Sequence, residues 1–106
     1  MSSKIEVANV VLALPLNRGF SYKFSYKAHK VEIGSVVKVI FKNRERIGVV
    51  TEISTVCEDD INYELKEIAC IYNIPPIGHA ILDFAKWMAS YNMIYYGNVI
   101  KMLLLN

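Results

Sequence analysis

Apolar and polar positions follow one rhythm in the first two-thirds of the chain and another in the last third. From Val7 to Leu14 the side chains are aliphatic and β-branched, and Pro15 closes the run. Such a stretch reads as a strand. Phe20-Ser21-Tyr22-Lys23-Phe24-Ser25-Tyr26 alternates aromatic and polar residues with period 2, so its aromatics share one face. Gly34-Ser35 is a turn signal before Val36-Val37-Lys38-Val39-Ile40-Phe41. Lys42-Asn43-Arg44-Glu45 then reads as a polar hairpin loop ahead of a strand from Arg46 to Ile53. Gly48 inside that strand marks a bulge or a close backbone approach, either of which lets a small sheet curl. Cys57 to Asn62 is acidic and reads as a surface loop, and Leu65 to Tyr72 fits one more short strand.

Pro75-Pro76 marks the change of rhythm. Beyond it Ile77, Ile81, Phe84, Met88 and Tyr91 recur at helical spacing, and Ala80, Leu82, Ala85, Trp87 and Ala89 widen the stripe. The pattern predicts a helix from about Gly78 to Ser90 that packs on more than one side. Gly97-Asn98 reads as the cap of a second, shorter segment from Val99 to Leu105. The expected architecture is α+β: a small, strongly curled, barrel-like sheet, then one main helix and a short second one. Neither an internal repeat nor a low-complexity tract interrupts it.

Composition narrows the picture. A chain of 106 residues with 54% apolar content suits one domain with its own core. Its β part runs to about residue 74 and its helical part follows. No apolar run reaches the ~18 residues that span a membrane, and the first residues lack a signal-peptide pattern, so a cytoplasmic location is expected. Cys57 and Cys70 are far apart, and His29 and His79 complete no ligand spacing, so two reduced thiols and no metal are expected.

Net charge is +2, yet the charges are segregated. Arg18 to Arg46 carries eight basic residues against two acidic ones, while Ile47 onward carries three against seven. This asymmetry fits either a polyanion-binding face or a solvated surface, and it adds Arg18, Arg44 and Arg46 as candidates by charge alone. Phosphate-loop, dinucleotide-fold, zinc-protease and nucleophile-elbow signatures are all missing. Glu58, Asp59 and Asp60 read as a solvated run. Catalysis by this chain is not expected, and no cofactor is implied.

Three groups of residues carry a resemblance. Pro15-Leu16-Asn17-Arg18-Gly19-Phe20-Ser21-Tyr22 is similar to a segment P-L-x-x-x-F-D-Y. Gly34-x-x-Val37-x-Val39-x-Phe41 with Arg46-Ile47-Gly48-Val49-Val50 is similar to a hairpin G-x-x-V-x-V-x-F and R-x-G-x-V. Leu65-Lys66, Trp87-x-Ala89-x-Tyr91 and Gly97-x-Val99 are similar to L-K, W-x-A-x-Y and G-x-V. In that order the chain resembles the N-terminal DNA-binding domain of the PriA replication-restart helicases. The resemblance implies a module that grips the 3′ end of a strand at an arrested fork, while separate domains unwind DNA with ATP, bind zinc and meet other primosome proteins.

The resemblance also implies a site made of Phe20, Ser21, Lys42, Asn43 and Lys66, to which the charge argument adds Arg44. Phe20 either stacks on a terminal base or is an ordinary core aromatic. Ser21 stands where the family carries an aspartate; its hydroxyl accepts and donates hydrogen bonds without a charge. Lys42 stands where the family has glycine, and Asn43 can adopt the left-handed conformation of a tight turn. Lys66 matches the family's pocket lysine, or is a strand-edge surface lysine. Tyr22, Phe24 and Tyr26 read as the packed face of a sheet, and Trp87, Tyr91, Tyr95 and Tyr96 as rings sealing helices against it. Two other readings stay open. One is a protein-binding adaptor that uses Met102-Leu103-Leu104-Leu105, and the other is non-specific nucleic-acid binding by the basic hairpin.

Overall fold

The computed structural model describes residues 4–24, 31–57 and 65–105. Within them β1 (Lys4–Leu12), β2 (Phe20–Phe24), β3 (Val36–Phe41), β4 (Arg44–Cys57) and β5 (Cys70–Ile71) form one antiparallel sheet, followed by α1 (His79–Tyr91) and α2 (Tyr96–Leu104). The strand order is β2-β1-β4-β3-β5. The architecture is α+β with a curled sheet, as the pattern of the chain implies. Tyr26, His29 and the run Glu58-Asp59-Asp60 lie outside the described residues.

The sheet does not close, but its two sides approach one another. The stretch from Leu65 to Tyr72 bonds to both. On one side Lys23 N–H donates to the Lys66 carbonyl at 3.0 Å, and Ile68 N–H to the Lys23 carbonyl at 3.1 Å. On the other, Ala69 N–H donates to Lys38 at 2.9 Å and Tyr72 N–H to Val36 at 2.9 Å. The strand expected over Leu65–Tyr72 is therefore regular only at Cys70–Ile71, because it divides its hydrogen bonds between β2 and β3.

Curling buries both faces of β1. Ala8, Val10 and Leu12 point inward to pack with Tyr22, Val37, Val39 and Val50. Val11 faces the other way, against Val36, Val49, Leu82 and Ile100. Each fully buried aliphatic side chain of this kind contributes roughly 1.5–3 kcal/mol. Of the two readings offered for Gly48, the close approach holds: a Cβ there would lie 2.6 Å from Val10 Cγ1 and 2.8 Å from the Val11 carbonyl. The bulge falls at Thr51 instead, where pairing steps from Asn9–Glu52 to Val10–Val50. Asn9 Nδ2 donates to Thr51 Oγ1 at 2.9 Å, and that hydroxyl donates back to the Asn9 carbonyl at 3.2 Å.

The β3–β4 loop is tighter than the polar run suggests. Phe41 pairs with Arg44, so only Lys42 and Asn43 turn, with φ of 51° and 65°. Two left-handed residues in a two-residue loop match the twist of antiparallel strands. Arg44 and Glu45 belong to β4, which also extends past Ile53 to Cys57.

The helices differ from expectation in which face is buried. α1 buries Leu82, Ala85 and Ala89, and these alanines pack with Val99, Met88, Tyr96 and Leu103. Small side chains let α1 lie close to its neighbours, which leaves the large stripe outside. Phe84 is 58% exposed, Trp87 57% and Tyr91 73%, and Tyr95 is also exposed. These rings do not seal the helices against the sheet; of the four aromatics expected there, only Tyr96 is half-buried. α2 begins at Tyr96, so Gly97 and Asn98 lie inside its first turn rather than capping it.

Candidate nucleic-acid interface

Loop and helix position the start of β2. Gly97 N–H donates to the Leu16 carbonyl at 3.0 Å, and Tyr96 N–H donates to Asn17 Oδ1 at 3.2 Å. The first turn of α2 thus holds the segment Leu16–Asn17, and Arg18, Gly19 and Phe20 follow from a fixed point. Where β2, the end of β3 and Leu65-Lys66 meet, a cavity of about 440 Å³ opens. That size lies within the ~300–1,000 Å³ of ordinary ligand sites.

Phe20, Ser21, Lys42 and Lys66 line this cavity, although they come from three separate stretches. Asn43 and Arg44 do not line it: Asn43 is the exposed tip of the turn, and Arg44 is exposed at the start of β4. The two readings of Phe20 merge. Its ring is half-buried, packs against the interior and meets the Phe41 ring at 4.7 Å between centroids, tilted by 51°. Lys42 takes the left-handed conformation that glycine adopts at no steric cost, which fits the position the family fills with glycine. Tyr22 and Phe24 belong to the packed inner face, as their alternation implies.

Arg18 is the residue that sequence reasoning reached only through charge. Its guanidinium carbon sits 4.7 Å from the Phe20 centroid, a cation–π contact at the wall of the cavity. The signal was local: an arginine two residues before an aromatic strand start, with a glycine between. Lys42 Nζ stands 5.5 Å from the Phe41 ring. Three cations therefore surround an aromatic floor, and no carboxylate lines it among the described residues. Beneath, Tyr22 donates its hydroxyl to the Ile40 carbonyl at 3.2 Å, and burial pushes its phenol pKa up, so it stays neutral.

Half-buried aromatic rings flanked by lysine and arginine are the features of a nucleic-acid-binding module. Residues 9–105 match the family described as the 3′ DNA-binding domain (3′BD) of PriA. The chain belongs to that family. It is 35% identical over 79 residues to the replication restart protein PriA of Rickettsia prowazekii, and 35% and 33% identical over the same length to those of Rickettsia typhi and Rickettsia conorii. Each match covers 71% of this chain but 11% of the relative. No helix among the described residues is long and apolar enough to cross a membrane.

Proposed function

We propose that the domain binds the 3′ end of a DNA strand at an arrested replication fork, as the N-terminal module of a cytoplasmic replication-restart helicase. One observation carries the reading: Phe20, Ser21, Lys42 and Lys66, far apart in sequence, line a single cavity. Phe20 offers a face to the terminal base, which stabilises by ~1–3 kcal/mol whatever the base. Lys42 and Lys66 serve phosphate oxygens as point charges. Ser21, exposed on the lip, hydrogen-bonds the terminal sugar. Asn43 and Arg44 meet the strand outside the cavity. On this reading the domain needs no cofactor of its own, and unwinding, ATP and zinc belong to other domains of the helicase.

Fluorescence anisotropy tests the reading with three ligands: a recessed 3′ end, a 5′ end and a circular single strand. Tightest binding to the 3′ end is expected. Equal affinity for all three leaves non-specific binding by the basic hairpin, and no binding to any favours a protein-interaction module.

A further inference from the structure

A second cavity, of about 320 Å³, lies between α1 and the outer face of β1 and β4. It has different chemistry from the first. Glu52 and Asp83 line it, with His79 and Lys86 on the same side of α1 as Asp83 and with Thr51 at the bulge. Neither carboxylate is in an ion pair among the described residues. The Tyr96 phenol lies in the same wall, and its pKa is raised by burial first and by the Asp83 carboxylate second. The bulge presents Thr51 to Asn9, and Gly19 keeps the space open, since a Cβ there would lie 2.6 Å from the Asn9 amide carbon. The lining sets Glu52 and Asp83 against Arg18 and Lys86, so its formal charges balance, and it offers carboxylate acceptors that the first cavity lacks. A group that donates hydrogen bonds to carboxylates fits.

The two cavities are neighbours, with Arg18 in the wall of both. Ser21, on the lip of the first, and Asn9, in the wall of the second, are cross-strand partners on β2 and β1, so their backbones lie about 5 Å apart. A dinucleotide can span that step. We propose that the second cavity takes the penultimate base of the bound strand, one with an exocyclic amino group, while Arg18 grips the phosphate that joins it to the terminal nucleotide. The proposal rests on the 3′-end reading and extends it to a preference one nucleotide inward. Glu52 and Asp83 accept hydrogen bonds from the exocyclic amino group of cytosine, adenine or guanine, as carboxylates do from cytosine in duplex recognition. Thymine has no exocyclic amine to offer them. The planar guanidinium of Arg18, which lies against the Phe20 ring, bonds two phosphate oxygens.

The test is an anisotropy titration of the chain with 3′-overhang DNA carrying one fixed terminal nucleotide and cytosine, adenine, thymine or an abasic sugar next to it. Cytosine and adenine are expected to bind roughly three- to tenfold tighter than thymine or the abasic sugar, the worth of one ordinary hydrogen bond at an exposed site. The double variant Glu52→Ala with Asp83→Ala, both at exposed positions, is expected to remove that difference and to keep the preference for 3′ over 5′ ends. Equal affinity for all four strands, with the 3′ preference intact, overturns the second-cavity assignment alone. Persistence of the base effect in the double variant overturns it too. Loss of the 3′ preference in the unaltered chain overturns both this and the reading on which it rests.

Discussion

Phe20 and Phe41 sit where the curled sheet opens, half-buried, with Arg18 and Lys42 against their rings. Phe84, Trp87 and Tyr91 stand along the outer side of α1, in contact only as a row: Phe84 meets Trp87 at 5.9 Å, and Trp87 stacks on Tyr91 at 5.1 Å and 17°. Both groups bring aromatic rings into contact, yet one is anchored in a core and the other is not. The difference lies in what the backbone beneath each group packs against. β2 curls towards β3 and draws its inward rings into a shared interior. α1 approaches its neighbours through alanines, and close approach on that side turns the bulky stripe to solvent. An aromatic stripe therefore marks burial only where the opposite face is not the smaller one.

Predictions can break this comparison, and the largest effect is expected beneath the first group. Tyr22→Ala removes a ring that is 4% exposed along with its bond to Ile40, and about 3–5 kcal/mol of stability is expected to go with it in urea unfolding. Phe20→Ala comes next: affinity for a 3′ end falls by about 1–3 kcal/mol while the salt dependence stays nearly constant. If Phe20→Ala instead lowers only the melting temperature, its ring belongs to the core and not to the site. Lys66→Ala is expected to weaken binding and to flatten the plot of log affinity against log salt by about one unit, the signature of one lost phosphate contact. The smallest effect separates the two groups most sharply. Trp87→Ala should change stability by no more than about 0.5 kcal/mol and leave 3′-end affinity unaltered, read from the same melts and titrations. A loss of several kcal/mol there would mean that the outer row is a core after all.

Much of the fold was legible because β-branched runs and period-2 aromatics are direct consequences of a sheet with an inside. Gly48 offered a bulge or a close approach, and it is the close approach that holds. The usable signal for the bulge lay elsewhere: Val50 and Ile53 both turn inward yet are three residues apart, which an unbroken period of two forbids. The α1 face was misread because hydrophobic spacing weighs large side chains, while close helix packing selects small ones. For the site, Phe20, Ser21, Lys42 and Lys66 came from resemblance, and their meeting in one cavity depends on a curl that no local pattern encodes. Arg44 carried the charge but not the geometry, and Arg18 carried both.

One consequence follows from the way Leu65–Tyr72 joins β2 to β3. The β1–β4 ladder runs through nine residue pairs, whereas Leu65–Tyr72 is tied to β2 by two bonds at Lys23. So short a junction opens more readily than a long ladder, because little else must break with it. The first cavity takes a wall from Leu65 and Lys66. It is therefore among the first features lost in partial opening. In hydrogen exchange the amides of Lys23 and Ile68 should exchange ahead of those in β1 and β4. On the proposed reading, a strand end held by Lys66 would slow that exchange and serve as a clasp on the curled sheet.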